Sequence, residues 1–228
     1  ADGGRQRLAT RGQSIKAFPD WTPDGGAILY TSYGERAMPG LYLTSRGEYS
    51  PGPILGGILP RQPKYRGVFN PNGSTLAVVS SLGGSTAIYR VDRDGGNLRR
   101  LTRGGSINIS PSWSPDGTKI AYVAFDINRG RSSLRVQDLA TGNIREISSR
   151  EGINGAPTWS PDGRRLAMTL SYRGNPDIYS YDLGTNQLTQ LTNNGAIDTE
   201  ANWSPDGNHI AFTSDRGGKP QVYRMRSD

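Results

Sequence analysis

Three features of the sequence predict an all-β chain folded as a β-propeller of five four-stranded antiparallel blades. The first is a segment repeated five times: DWTPDG at Asp20–Gly25, VFNPNG at Val68–Gly73, SWSPDG at Ser112–Gly117, TWSPDG at Thr158–Gly163 and NWSPDG at Asn202–Gly207. Its aromatic anchors, Trp21, Phe69, Trp113, Trp159 and Trp203, are spaced by 48, 44, 46 and 44 residues. A fixed period of this size means an array of equal structural units. The second feature is the strand pattern inside each period, and the third is the way the two ends of the chain complement each other.

The third repeat shows the pattern most plainly. A short run over Ile109–Ser114 carries the anchor. Ser-Pro-Asp-Gly (Ser114–Gly117) is a tight turn: Pro115 fixes φ, Asp116 bonds the backbone ahead, and Gly117 accepts φ > 0. Ile120–Phe125 (IAYVAF) is a β-rich apolar run, as in a buried strand. A turn over Asn128–Arg131 leads to Ser133–Leu139 (SLRVQDL), whose alternation marks a half-buried strand. A further turn, Ala140–Asn143, precedes Ile144–Ser148 (IREIS). Second strands are likewise predicted at Ala27–Tyr33, Leu76–Ser81, Leu166–Ser171 and Ile210–Asp215. Third strands fall at Leu41–Ser45, Ala87–Asp92, Asp177–Leu183 and Gln221–Arg226, and fourth strands include Leu98–Arg103 and Leu188–Asn193. Four-stranded units at this period are propeller blades.

The ends fit a closed ring. Asp2–Thr10 (DGGRQRLAT) resembles Asp94–Thr102 (DGGNLRRLT), a turn plus a fourth strand, whereas the last repeat stops after its third strand. Twenty-five residues follow Trp203 and Trp21 is the twenty-first, so closure keeps a spacing of 46. The N-terminal strand is therefore expected to complete the last blade, which removes two free sheet edges.

Composition narrows the function. Hydrophobic residues make up only 33%, with 31 Gly and 15 Pro. Without periodicity that would suggest disorder, but here the Gly and Pro fall at repeated turns, and the 228 residues read as one domain. The net charge of +7 is scattered through every repeat and forms no block, so no nucleic-acid footprint is expected. With no Cys there is no disulfide, thiolate nucleophile or Cys-based zinc site. No stretch reads as a signal peptide or a membrane span.

Several residues invite a catalytic reading and are better explained by the fold. Asp24, Asp116, Asp162 and Asp206 repeat, but turn chemistry accounts for them, and Asn72 fills the same place in the second repeat. The tryptophans are expected to pack blade against blade, since Phe69 substitutes at the same position. His209, the only histidine, has Ala27, Thr75, Lys119 and Arg165 as counterparts. That variability marks an exposed strand position, and nothing supplies the oriented partners of a triad.

Binding is instead expected in the loops that precede each anchor: Gln13–Pro19, Lys64–Gly67, Ser106–Pro111, Glu151–Pro157 and Asn194–Ala201. In a propeller they gather at one mouth of the channel, and loops on a rigid scaffold carry function disproportionately. Three residues before the anchors stand Phe18, Arg66, Ser110, Ala156 and Glu200. Asp198 and Glu200, with backbone carbonyls, offer oxygen ligands of the kind Ca²⁺ takes, although no dedicated calcium loop is present and no other cofactor is expected.

The WSPDG turn, the following (I/L)A(Y/F)(V/T)S run, and the (I/V)Y, DGG and RLT segments resemble the propeller repeats of the TolB family. The likeness runs through GAPTWSPDG (Gly155–Gly163), DTEANWSPDG (Asp198–Gly207) and AFTSDRGGKPQVY (Ala211–Tyr223). The resemblance implies a non-enzymatic, periplasmic protein-binding module of the Tol–Pal system. Its implied partner is the peptidoglycan-associated lipoprotein Pal, with colicin-type peptides imitating Pal at the same face, and calcium can lie in the channel. It matches Glu200 to a glutamate of the Pal-binding surface, and it matches Ile153-Asn154-Gly155 to a segment whose first position is often His. The expected partner surface is Glu200, Thr199, Asp198, Ile153, Asn154, Ser110, Arg66 and Phe18. Family members have six blades and an N-terminal α/β domain that contacts TolA. Five repeats alone suggest a shortened or engineered propeller, which would form an oligomer if its ring were incomplete. The alternatives are a propeller fragment without a native ligand and the gating propeller of a serine peptidase.

Overall fold

A computed structural model describes residues 9–10, 13–33, 38–45, 52–53, 63–103 and 107–228. All regular elements among them are β-strands, so no helix is long and apolar enough to cross a membrane. The chain divides into two compact units, Ala1–Thr102 and Arg103–Asp228. The first unit holds two blades: β1 (Ile15–Trp21), β2 (Ala27–Tyr33), β3 (Gly40–Ser45) and β4 (Gly52–Pro53), then β5 (Lys64–Phe69), β6 (Thr75–Ser80), β7 (Ala87–Asp92) and β8 (Arg99–Arg100). The second unit holds three. These are β9 (Ile107–Trp113), β10 (Lys119–Asp126), β11 (Arg131–Asp138) and β12 (Ile144–Ser148); β13 (Asn154–Trp159), β14 (Arg165–Leu170), β15 (Asp177–Asp182) and β16 (Leu188–Gln190); and β17 (Asp198–Trp203), β18 (His209–Ser214) and β19 (Gln221–Arg226).

Each sheet is a meander in chain order with antiparallel neighbours. The five sheets are the five expected propeller blades. The second strand of each is the most buried: every residue of β6 is buried, as its unbroken apolar run requires. The fifth sheet has three strands among the described residues. Residues 2–8 of the predicted closing strand lie outside the described residues. Of its described part, the Ala9 carbonyl accepts a hydrogen bond from Thr44 Oγ1 of the first blade at 3.3 Å. Val222 on β19 is 78% exposed, whereas Ile178, its counterpart in the fourth blade, is fully covered.

The turn after each anchor is held by a side-chain oxygen. Ser114 Oγ accepts the Lys119 N–H at 2.9 Å and donates to Asp116 Oδ1 at 2.6 Å. Asp116 Oδ1 in turn accepts the Thr118 N–H at 3.0 Å, and the Gly117 N–H closes on the Ser114 carbonyl at 2.8 Å. Ser160 with Asp162 and Ser204 with Asp206 repeat this arrangement. Thr22 does the same in the first blade, and Asn70 Oδ1 accepts the Thr75 N–H in the second. Gly117, Gly163 and Gly207 sit at φ near +70°, where a Cβ would be strained.

Blades interlock at these turns. Trp159 Nε1 donates to the Ser112 carbonyl of the preceding blade at 3.1 Å, and Thr158 Oγ1 to the Ala201 carbonyl of the next at 2.9 Å. Pro115 packs against Gly163 and Pro161 against Gly207, as Pro23 packs against Gly73 in the first unit. Phe69, Trp159 and Trp203 each join a core cluster shared by two successive blades, as expected of the anchors. Trp21 departs from that expectation. It is 58% exposed where Trp113, Trp159 and Trp203 are each 8% exposed.

Two outcomes follow from the turn chemistry. Ser160 is buried and its hydroxyl serves both the Arg165 N–H and Asp162. Ser160→Ala therefore leaves a buried donor unpaired and lowers stability by about 1–3 kcal/mol in urea unfolding, whereas Ser160→Thr, the residue found at Thr22, retains most of it. Hydrogen bonds from Ser114 and Thr118 lower the Asp116 pKa to about 2, and those from Ser204 and Asn208 do the same for Asp206. A carboxylate with a depressed folded pKa contributes stability above its ordinary value of 3.8, and that contribution is lost as pH falls toward about 2. Asp116→Asn, which mimics Asn72, should fold at neutral pH and flatten the loss of stability across that acid window.

Candidate functional site

The inner strands share an unusual backbone. Phe18, Ser110, Ala156 and Glu200 have φ between 47° and 56°. None is a glycine, and all four stand three residues before an anchor. The ladder of each inner strand slips there: between Ala17 and Asp20, Ile109 and Ser112, Gly155 and Thr158, and Thr199 and Asn202. Each is a β-bulge that re-aims one side chain out of the ladder. In the second blade the slip lies instead between Lys64 and Arg66. Non-glycine residues at positive φ are strained, and such strain clusters at functional positions.

In the second unit β13 lies beside both β9 and β17, so Ser110, Ala156 and Glu200 occupy equivalent places on neighbouring strands. Glu200 is exposed, and Ser110 and Ala156 are half-buried. In the first unit Arg66 stacks its guanidinium 5.4 Å from the centre of the exposed Phe18 ring. Burial raises the pKa of the neighbouring Asp20 carboxyl, with the Arg66 charge opposing it.

Two candidates play an internal part. Asp198 is fully buried. Arg216 Nη2 reaches its two oxygens at 3.2 and 3.0 Å, and Asn194 Nδ2 bonds Oδ2 at 3.0 Å. Burial alone would raise its pKa, but hydrogen bonds from Ser214, Thr192, Asn194 and Arg216 outweigh it and hold the carboxyl below its ordinary value. Asn154 is also buried. Its Oδ1 accepts from Ser148 Oγ at 2.6 Å and its Nδ2 donates to the Arg150 carbonyl at 2.7 Å. Asn108 and Lys64 are buried at the same place, five residues before their anchors. In the fourth and fifth blades Asn154 and Asp198 tie the inner strand to the loop before it. The sequence signal for this row is a polar residue at a fixed distance before every anchor.

Just outside that row the chain presents isoleucine. Ile153 is 49% and Ile197 50% exposed, each six residues before its anchor, and Ile15 stands at the same place in the first blade. Thr199 is half-buried between them and the bulge, in register with Thr213. The loop end of the second unit thus carries two exposed isoleucines, before neighbouring inner strands, and the exposed Glu200 carboxylate. It does not fit a calcium ion at Asp198: the Arg216 guanidinium holds both oxygens, and no group of three or more His, Cys, Asp or Glu gathers among the described residues. His209 is half-buried and not exposed as expected, because its position on β18 pairs with Arg226 on β19.

Repeated four-stranded meanders locked by an aromatic and a tight turn define the class: a β-propeller that displays loops from a rigid frame. The family model of the TolB beta propeller domain matches residues 1–123 and 90–228, and the chain belongs to that family. It is 33% identical over 140 residues to a protein TolB homolog of Chlorobium luteolum, covering 61% of this chain and 30% of the relative. It is 36% identical over 115 residues to the Tol-Pal system protein TolB of Anaeromyxobacter dehalogenans, covering 49% and 25%. A structure solved as a TolB of Agrobacterium tumefaciens superposes with a TM-score of 0.80 at 25% identity, covering 93% of this chain and 77% of that one. The chain matches between a quarter and a third of the length of these curated relatives.

If the bulges store strain, glycine should release it. Glu200→Gly is expected to raise stability by roughly 0.5–1 kcal/mol, the left-handed cost less the glycine entropy. Glu200→Ala, which keeps a Cβ at positive φ, should not. Thermal unfolding of the two variants distinguishes them.

Proposed function

We propose that this chain is a non-enzymatic protein-binding propeller of the Tol–Pal system, acting in the periplasm and holding a Pal-type lipoprotein at the loop end of its second unit. The observation that carries the reading is the pairing of exposed Ile153 and Ile197 with Glu200, a carboxylate fixed on a strained bulge. Exposed apolar residues beside polar groups suit a protein-interaction surface. Membership in the TolB propeller family and the Tol-Pal name of a relative supply the partner class.

In this reading Glu200, Ile153 and Thr199 touch the partner, with Ser110 beside them. Asp198 and Asn154 act from beneath by fixing the loops. Phe18 and Arg66 offer a second, aromatic and cationic patch on the first unit. A colicin-type peptide would compete for the same face. No step of chemistry is assigned to any residue.

Titration calorimetry with a soluble Pal-type protein lacking its lipid tests the proposal. A 1:1 complex is expected, weakened at least about tenfold by Ile197→Asp or Glu200→Lys, as interface hot spots are. No binding by the unaltered chain, or an affinity in both variants equal to that of the unaltered chain, would exclude it.

A further inference from the structure

At the other end of the strands, where the Ser-Pro-Asp-Gly turns lie, the third and fourth blades leave a cavity of about 710 Å³ between them. Trp159 lines it, with Val136, Ile144 and Leu183 supplying further apolar wall. Its rim carries Asp116 and Asp138 from the third blade and Asp162 and Asp182 from the fourth.

The corresponding seams are filled by the chain's own arginines. Between the fourth and fifth blades the Arg165 guanidinium lies 4.7 Å from the Trp203 ring centre and donates to the Ser227 carbonyl at 3.0 Å. It comes from the blade that also bears Asp162 and Asp182, and its charge bears on both carboxylates. Between the first and second blades Arg93 lies 5.6 Å from the Phe69 ring centre.

At Trp159 neither position supplies an arginine. Lys119 replaces Arg165, and Leu183 replaces Arg93. Lys119 Nζ turns to Asp138 at 3.8 Å and Thr118 Oγ1 at 3.3 Å. Among the described residues no cation stacks on Trp159. Three cations line the cavity, Lys119, Arg145 and Arg164, against four carboxylates. Arg145 is committed to the Leu183 carbonyl and the Tyr181 hydroxyl, both at 3.0 Å. Asp116 Oδ1 serves its own turn, and no hydrogen bond among the described residues claims Oδ2.

We propose that this seam receives an arginine side chain from a polypeptide partner. Its guanidinium stacks on Trp159 beside Asp116 and Asp138, as Arg165 stacks on Trp203. The planar guanidinium suits the site because it stacks on an indole and bonds carboxylates through two N–H groups, which an ammonium does not. The site lies at the opposite strand end from the Pal-type surface and does not depend on it.

The test is a titration with N-acetyl-L-arginine amide, followed by the indole N–H resonances in ¹H–¹⁵N NMR. The Trp159 signal should shift saturably in the millimolar range expected for one side chain, while the Trp203 signal stays in place. The matching lysine amide should bind at least about fivefold more weakly. Lys119→Arg supplies the guanidinium internally and should abolish the shift, whereas Lys119→Ala should strengthen it. Arg165→Ala should open a second site at Trp203. An unchanged shift in Lys119→Arg, equal binding of the lysine amide, or no Trp159 response would overturn the proposal. Tighter binding of free arginine than of the blocked amide would make the ligand an amino acid and overturn the polypeptide assignment.

Discussion

The side-chain oxygen that follows each aromatic anchor accepts the N–H that opens the next strand, as Ser114 does for Lys119 and Ser160 for Arg165. That bond fixes where the second strand begins. Since a one-residue slip would turn every side chain of the strand to the other face, it also sets the register that buries Leu166 and Met168. The same turn presents a proline to the next blade's glycine and holds the anchor where its indole reaches the preceding blade. Local turn chemistry and blade packing are therefore one device. Much of the low hydrophobic content is tolerable because polar groups inside the turns satisfy one another.

The two ends of each inner strand divide the work. At the turn end positive φ falls on the turn glycines and on Asn97 and Asn186, a residue type that tolerates it. At the loop end the chain accepts strain at Phe18, Ser110, Ala156 and Glu200. A buried polar hub such as Asp198 with Arg216 stabilises that end. A rigid frame can hold strained residues in place because the bulge alone cannot relax without breaking the ladder on both sides. This division explains how blades of equal architecture carry unequal surfaces.

The second strands were legible to within a residue, since Ile120–Phe125 is predicted and Lys119–Asp126 is formed. Their apolar runs have one reading. The fourth strands were legible unevenly: Ile144–Ser148 forms as predicted, whereas Leu188–Asn193 shortens to Leu188–Gln190 and Leu98–Arg103 to Arg99–Arg100. Past Arg100 the N–H groups of Leu101 and Thr102 share the Ile88 carbonyl, and Thr102 Oγ1 takes the Ile88 N–H, which ends the ladder. The positive φ at Ala156 and Glu200 left no trace in the sequence, because neither residue favours that conformation. The candidate positions were nonetheless found by their distance from the anchor. That count did not separate exposed Glu200 from buried Asp198, whose fate depends on Arg216, eighteen residues away. The exposure of Trp21 was equally hidden, since its repeat carries the same Trp, Pro, Asp and Gly as the repeats whose anchors are buried.

Native-state hydrogen exchange tests the central claim most directly. The N–H groups of Lys119, Arg165 and His209 bond a serine hydroxyl at the edge of an exposed turn. If those hydroxyls set the register, the three amides exchange only through global opening of their blades, as slowly as the buried ladder amides of β10, β14 and β18. Exchange at the rate of the neighbouring turn residues would show that the hydroxyl bonds open locally, and would contradict the claim that they organise the blades.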